Sequence, residues 1–246
     1  MAKINVVNES TSVTDDQVAV MAEAVSIQIK NHFAPAWNQM PSPVTWVKKD
    51  QVDPDAWVVT VLDNTHELGT LGYHEQEGAA PTAKVFCQPS LDYGSSVFTG
   101  DYAISSILSH ECLELLTDPT TTEWNLVGVD HHGNATFVAE ESVDPVESQY
   151  YEIHVDGTRV NVSNFVLPAW FDPQTDDLYT DILRTITKPL TIASGGYVIT
   201  WDHQGQQATF GHRIPIWRIE HKSSVGSRSY YRMITELPHH HFRRGR

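Results

Sequence analysis

Cysteine is scarce in this chain: Cys87 and Cys112 are the only two among 246 residues. Two thiols cannot build the disulfide framework of a small secreted scaffold, so synthesis in a reducing compartment is expected. No apolar run is long enough to span a bilayer, and the N-terminus lacks the basic-then-apolar layout of a signal peptide. A membrane partner is therefore not expected. There is no internal repeat, which argues against solenoid architectures. The most consequential scarcity is local: no Lys or Arg occurs between Lys84 and Arg159. What remains is an ordinary globular composition, 40% hydrophobic and 19% charged, in a chain long enough to bury a real core.

Inside the cation-free stretch lies Ser105-Ser-Ile-Leu-Ser-His110-Glu111-Cys-Leu-Glu114-Leu-Leu-Thr-Asp118-Pro119. Ile104, Ile107, Leu108, Cys112, Leu115 and Leu116 recur at helical intervals, so the segment is read as a helix ended by Asp118-Pro119. Apolar residues reach round most of its circumference, the pattern of a buried helix. At about 100° per residue, His110, Glu111 and Glu114 share one arc, and Asp118 would join them if the helix ran on. Carboxylates on a buried arc need a compensating cation, and no basic side chain is near in sequence. A metal ion answers that need. The pattern H-E-x-x-E varies the metallopeptidase pattern H-E-x-x-H, with His110 and Glu114 as the i, i+4 ligands. Glu111 is then the general base that takes a proton from the attacking water. Cys112 falls on the far side of the helix and is read as core packing.

The flanking chain gives the rest of the fold. Ile4 to Val7 reads as a strand, and Thr14-Asp-Asp-Gln17 is a capping box with Val13 and Val18 as a hydrophobic staple. An amphipathic helix follows to about His32. Val44–Val47 and Trp57–Leu62 read as strands, the second apolar enough to be central. A short edge strand is expected from Gly69 to Tyr73, then a strand at Lys84–Cys87. His74, at that edge, is read as a surface residue, with a place near a substrate as the alternative. Hairpin turns are expected at Asp130-His-His-Gly133 and at Asp156-Gly157. Between them, Glu140-Glu141-Ser-Val-Asp144 forms a second acidic cluster. Glu141 and Asp144 are the candidates for a third metal ligand and its supporting partner. His131 and His132 are further candidates, within an exposed turn.

Charge divides the chain unevenly. Residues 213–246 carry eight basic residues against two acidic ones, a net of +6, which leaves −21 of the total −15 on residues 1–212. A basic arm beside an acidic body can dock on an acidic neighbour or on nucleic acid. The acidic body of another copy meets this description, so a homo-oligomer or another protein is the expected partner and nucleic acid is not. Prolines 168 and 173 with Asp176-Asp177 suggest a boundary. The expected division is a core at 1–172, a linker at 173–189 and a basic β-rich extension at 190–246 that serves assembly.

Several blocks together resemble phage and prophage-encoded proteins with a zincin-like H-E-x-x-E core. They are Ile4-Asn-Val-Val-Asn-Glu-Ser10, Phe33-Ala-Pro-Ala-Trp37, Leu71-Gly-Tyr-His74, the motif helix, Asp144-Pro-Val-Glu147 and Val162-Ser-Asn-Phe-Val-Leu-Pro-Ala-Trp-Phe171. The resemblance covers residues 1 to about 172 and thins beyond to Gly195-Gly-Tyr197. It implies an α+β fold with an N-terminal helix, a mixed sheet and the motif helix. His110 and Glu114 would be ligands, Glu111 the base, and Glu141 or Asp144 would complete the site. Zincins carry a second His where this chain has Glu114. A carboxylate there hardens the site, so zinc comes first and manganese, iron or calcium are admitted. No organic cofactor is expected. The resemblance implies a virion component made in the host cytoplasm, with an active zinc-dependent metallopeptidase acting on peptides as the alternative. The sequence leaves open whether the protein is an enzyme.

Overall fold

A computed structural model describes residues 2–65, 70–77 and 80–212. The part of the basic extension at 213–246 lies outside these residues. The architecture is mixed α+β.

The first sheet has five strands: β1 (Ile4–Asn8), β2 (Val44–Trp46), β3 (Trp57–Leu62), β4 (Gly72–Glu77) and β5 (Ala80–Phe86), in the order β2-β1-β3-β5-β4. Neighbours are parallel except β4, which runs antiparallel to β5 at the sheet edge. β3 is central, as its apolar run requires, with Val59 and Val61 fully buried. The edge strand starts later than expected, at Gly72. Its sequence, Gly-Tyr-His-Glu-Gln-Glu, has no apolar alternation, and pairing with β5 supplies what local pattern does not. Cys87, expected to end β5, instead opens a short helix.

Helix α1 (Asp15–Gln28) begins at the capping box, where Thr14 Oγ1 accepts from Gln17 N and Gln17 Oε1 accepts from Thr14 N. It continues through a π-turn, Ile29–Phe33, into the brief α2 (Ala34–Ala36). After α3 (Cys87–Asp92) a loop leads into α4 (Ile104–Thr117), the motif helix, which ends before Asp118 as expected. Helices α1 and α4 pack on each other and on the sheet. A hairpin, β8 (Tyr150–Val155) and β9 (Thr158–Ser163), covers both. Its turn residues Asp156 and Gly157 have φ of 46° and 83°, the left-handed pair a tight hairpin turn demands.

A second sheet has the order β11-β10-β7-β6, built from β6 (Trp124–Val129), β7 (Ala135–Ala139), β10 (Tyr197–Asp202) and β11 (Gly205–Phe210). This sheet crosses the expected domain boundary, because β10 pairs with β7 through Thr200–Val138 and Trp201–Phe137. A buried cluster crosses it too, joining Val138, Val166, Trp170 and Phe171 to Ile186 and Val198. Nor is 173–189 a free tether. Thr180 and Asp181 are buried, and Asp181 Oδ1 accepts from Thr185 N and Ile186 N, both at 2.7 Å. The apolar surface of Trp170 and Phe171 must be covered, and the following chain covers it. Among the described residues no helix is long and apolar enough to cross a membrane.

Candidate metal centre

Small polar residues on α4 position the motif. Ser105 Oγ donates to Asn161 O at 2.7 Å and Ser163 Oγ donates to Ser106 O at 2.8 Å. Ser109 Oγ donates to Gln28 Oε1 at 2.6 Å and accepts from Ser163 N, while Gln28 Nε2 donates to Ser163 O. Gln28 is wholly buried, so this network ties α1, α4 and β9 together in a low-dielectric setting. The helix is thereby fixed in rotation, and its acidic arc faces away from β9.

That arc meets three other segments. His110, Glu111 and Glu114 are respectively 6%, 4% and 3% exposed, and the neighbouring carboxylates and imidazole are almost as closed. His110 Nε2 lies 3.0 Å from Glu114 Oε2 and 3.3 Å from Asp144 Oδ1. A neutral imidazole has at most one proton on that nitrogen and can satisfy one oxygen; a metal ion satisfies both. Asp144 sits in a 3-10 turn, Asp144–Val146, whose backbone also orients Glu114. Val143 N and Asp144 N both donate to Glu114 Oε1 at 3.2 Å, leaving Oε2 to face the centre. His110, Glu114 and Asp144 offer one ligand atom each, all within 4.8 Å of one another.

Both carboxylates left open by the sequence, Glu141 and Asp144, are thus brought to the centre. They divide between two triads: Asp144 joins His110 and Glu114, whereas Glu141 joins Glu114 and His74. His74 is not the surface residue expected; it is 5% exposed and inside the cluster. The physical reason is that β4 lies against α4 and turns this side chain inward. Gly72 makes that approach feasible, since a Cβ there would lie 2.5 Å from Glu111 Oε1 and 2.9 Å from Ile107 Cγ2. His131 and His132 lie in the exposed β6–β7 turn and belong to neither triad. Cys112 is buried, as expected of core packing.

Two further residues join the site: Asp118, which the sequence placed on the arc only if the helix ran on, and Tyr197, which it did not nominate. Asp118 terminates α4, is 1% exposed, and accepts from Thr122 N and Glu123 N. Tyr197 opens β10 and hydrogen-bonds Asp144. It reaches there because Gly196 allows contact with the Asp144 turn, where a Cβ would lie 2.2 Å from Pro145 O. In both β4 and β10 a glycine precedes the inward aromatic or imidazole by one or two positions. This was the signal available, and it marks close approach.

The electrostatics follow from burial. Burial acts to lower the His74 imidazole, but Glu141, Glu111 and Glu114 overcome it and raise the group to about 10. Burial likewise opposes charge on His110, and Glu114 and Asp144 outweigh it. Glu114 and Glu141 are pushed above the usual carboxylate range, first by burial and then by neighbouring carboxylates. Burial also lifts Asp118 to about 6 against its backbone hydrogen bonds. The phenol of Tyr197 is raised by burial, then by Asp144 and Glu114. The cluster is therefore short of positive charge.

Its polar atoms are also under-satisfied. His74 Nε2, Glu111 Oε2 and Glu141 Oε2 are buried without a hydrogen-bond partner. Such atoms are rare in folded proteins unless an ion or water meets them. Nitrogen and carboxylate oxygen donors suit zinc and also manganese and iron. The residues fit a bound divalent cation. No protein-family model, curated protein or solved structure matches the chain.

Proposed function

We propose that the chain is a metal-binding protein with a zincin-like core, serving as a structural or assembly component of a phage particle. One observation carries the metal reading: His110, Glu114 and Asp144 converge in a buried space that no Lys or Arg among the described residues enters by an ion pair. The zincin-like reading is supported by the motif helix lying along an antiparallel edge strand of a mixed sheet. The scaffold role rests on the resemblance in sequence. The surplus of +6 at 213–246 would dock on the −21 body of a neighbouring copy or another virion protein.

A second reading, zinc-dependent peptidase, is favoured by Glu111. Its buried carboxylate has an oxygen with no hydrogen-bond partner, beside an edge strand that pairs with no strand on its outer side among the described residues. A cation held by His110, Glu114 and Asp144 would supply Lewis acidity towards a carbonyl and towards water. Glu111 would take the proton from water and return it to the leaving amine. The outer edge of β4 would hold an extended peptide by backbone hydrogen bonds. Tyr197 would keep Asp144 oriented through its hydrogen bond.

Chelation and the Glu111→Gln variant test both readings. Removing metal from the full chain should lower its melting temperature, and a melt unchanged by chelator would overturn the metal reading. E111Q keeps the ligand set, so it should retain metal and stability. If the wild type cleaves a peptide mixture and E111Q lowers the rate about 10²- to 10⁴-fold, the peptidase reading replaces the scaffold. Absence of cleavage with zinc, manganese or iron leaves the scaffold standing.

A further inference from the structure

We propose that the centre holds two divalent cations rather than one, with Glu114 as the carboxylate they share. This rests on the metal reading above and deepens it. The first ion is the one held by His110, Glu114 and Asp144. The second belongs to His74, Glu114 and Glu141, whose ligand atoms also lie within 4.8 Å of one another.

Distances separate this arrangement from a simple imidazolium among carboxylates. His74 Nδ1 is 3.6 Å from Glu114 Oε2 and 3.8 Å from Glu111 Oε2, and Nε2 is 3.6 Å from Glu141 Oε2. A charge-assisted N–H···O bond closes to about 2.7–2.9 Å, so none of these is one. Two ligands each about 2.1 Å from a common ion stand roughly 3.0–3.6 Å apart at angles of 90–120°. One ring nitrogen serves one ion: Nδ1 of His74 keeps ligand spacing from Glu114 Oε2, whereas the 3.6 Å approach to Glu141 is made by the opposite nitrogen, and the ligand atoms of the three residues stay within 4.8 Å of one another. His74 is also the independent sign of a ligand: 95% buried, with Nε2 unpartnered and directed at an unpartnered Glu141 oxygen.

The shared residue is shaped for the part. Oε1 of Glu114 is occupied by two backbone N–H groups, so its orientation is fixed. Oε2 alone faces both histidines, 3.0 Å from one and 3.6 Å from the other. One oxygen between two imidazoles is the position of a bridging ligand, and ions bridged in enzymes stand about 3.5–4 Å apart. Charge balance points the same way. Glu111, Glu114, Glu141 and Asp144 surround the two imidazoles, with Asp118 buried beside them, so one divalent cation leaves a larger excess of carboxylate than two. Donors of this kind select manganese, iron or zinc, with Glu111 left to handle a proton beside the pair.

Manganese titration of the full chain tests this, with His239, His240 and His241 replaced by alanine to remove a competing imidazole run. Elemental analysis should give two manganese ions per chain, and their magnetic coupling should broaden and weaken the electron paramagnetic resonance signal. In His74→Ala, one ion should remain and the resolved hyperfine pattern of isolated manganese should return. Glu141→Gln should do the same, which keeps the test alive if the first variant does not fold. A single ion in the parent, unchanged by both variants, overturns the second site and leaves the proposed function intact. No bound ion overturns both. Two ions that persist uncoupled in both variants place the second elsewhere and overturn the inference.

Discussion

Helix α4 buries two polar faces, and they are treated in opposite ways. On the face towards β9, Ser105 and Ser109 are matched by Asn161 O, Gln28 Oε1 and Ser163 N, with the neutral Ser106 Oγ and Asn161 Oδ1 left over. On the face towards β4 and the Asp144 turn, large ionisable groups are buried with nitrogen and oxygen atoms unmet. An unmet buried charged group is far more destabilising than an unmet hydroxyl. The same helix thus carries a nearly finished neutral joint on one side and an unfinished ionisable cluster on the other. Polar burial that is complete builds the fold; polar burial that is incomplete waits for a ligand.

The sharpest break of this comparison is removal of the chain from residue 190 onwards. That deletes β10, the Tyr197 contact with Asp144 and part of the cluster around Trp170. Such a protein should lose its metal and its cooperative melt. One that keeps both would show that the second sheet is dispensable, as the sequence had suggested for an extension devoted to assembly.

A smaller effect should come from the finished face. Gln28→Leu strands the Ser109 hydroxyl and Ser163 O without their buried partner, which should lower stability by about 1–3 kcal/mol in denaturant melts. Metal content should not change, because Gln28 touches no member of the cluster. The complementary change on the unfinished face is Gly72→Ala. Its Cβ would collide with Glu111 Oε1 and Ile107, so crowding should destabilise by about 1–3 kcal/mol and displace Glu111. Equal and small effects of both substitutions on metal and stability would erase the contrast between the faces.

The smallest effect lies away from α4. Asp63 accepts from Ser10, Thr11 and Ser12, holding the turn that leads into α1. Its hydrogen bond with Ser10, more than any other interaction, depresses the carboxyl below its ordinary value. A depressed folded value means the stabilisation is full above the unfolded carboxylate range and fades as pH falls below it. Asp63→Asn should cost about 1 kcal/mol at neutral pH and flatten that acidic slope. An unchanged slope would show that Asp63 does not couple to folding.

Much of this was legible in the residues. The capping box at Thr14–Gln17, the apolar run of β3 and the turn pairs at Asp130–Gly133 and Asp156–Gly157 are local signals, and each element formed where they stand. The arc of His110, Glu111 and Glu114 is likewise local geometry. Glu141 and Asp144 could be nominated because a metal reading demanded more ligands. His74 could not, since β4 is a polar strand whose inward face is set only by pairing with β5 and by contact with α4. Tyr197 was hidden for the same reason, 53 positions from Asp144 in the sequence and joined to it by a sheet that crosses a proline-marked stretch. Local chemistry names half of a buried site, and long-range packing supplies the other half.

The central claim is that this cluster exists to hold metal, and anomalous diffraction tests it most directly. Crystals of the full chain grown with manganese or zinc should show an anomalous peak about 2.0–2.2 Å from His110 Nε2 and Glu114 Oε2. A map without any peak among His74, His110, Glu114, Glu141 and Asp144, with those side chains closed into direct hydrogen bonds, would contradict it.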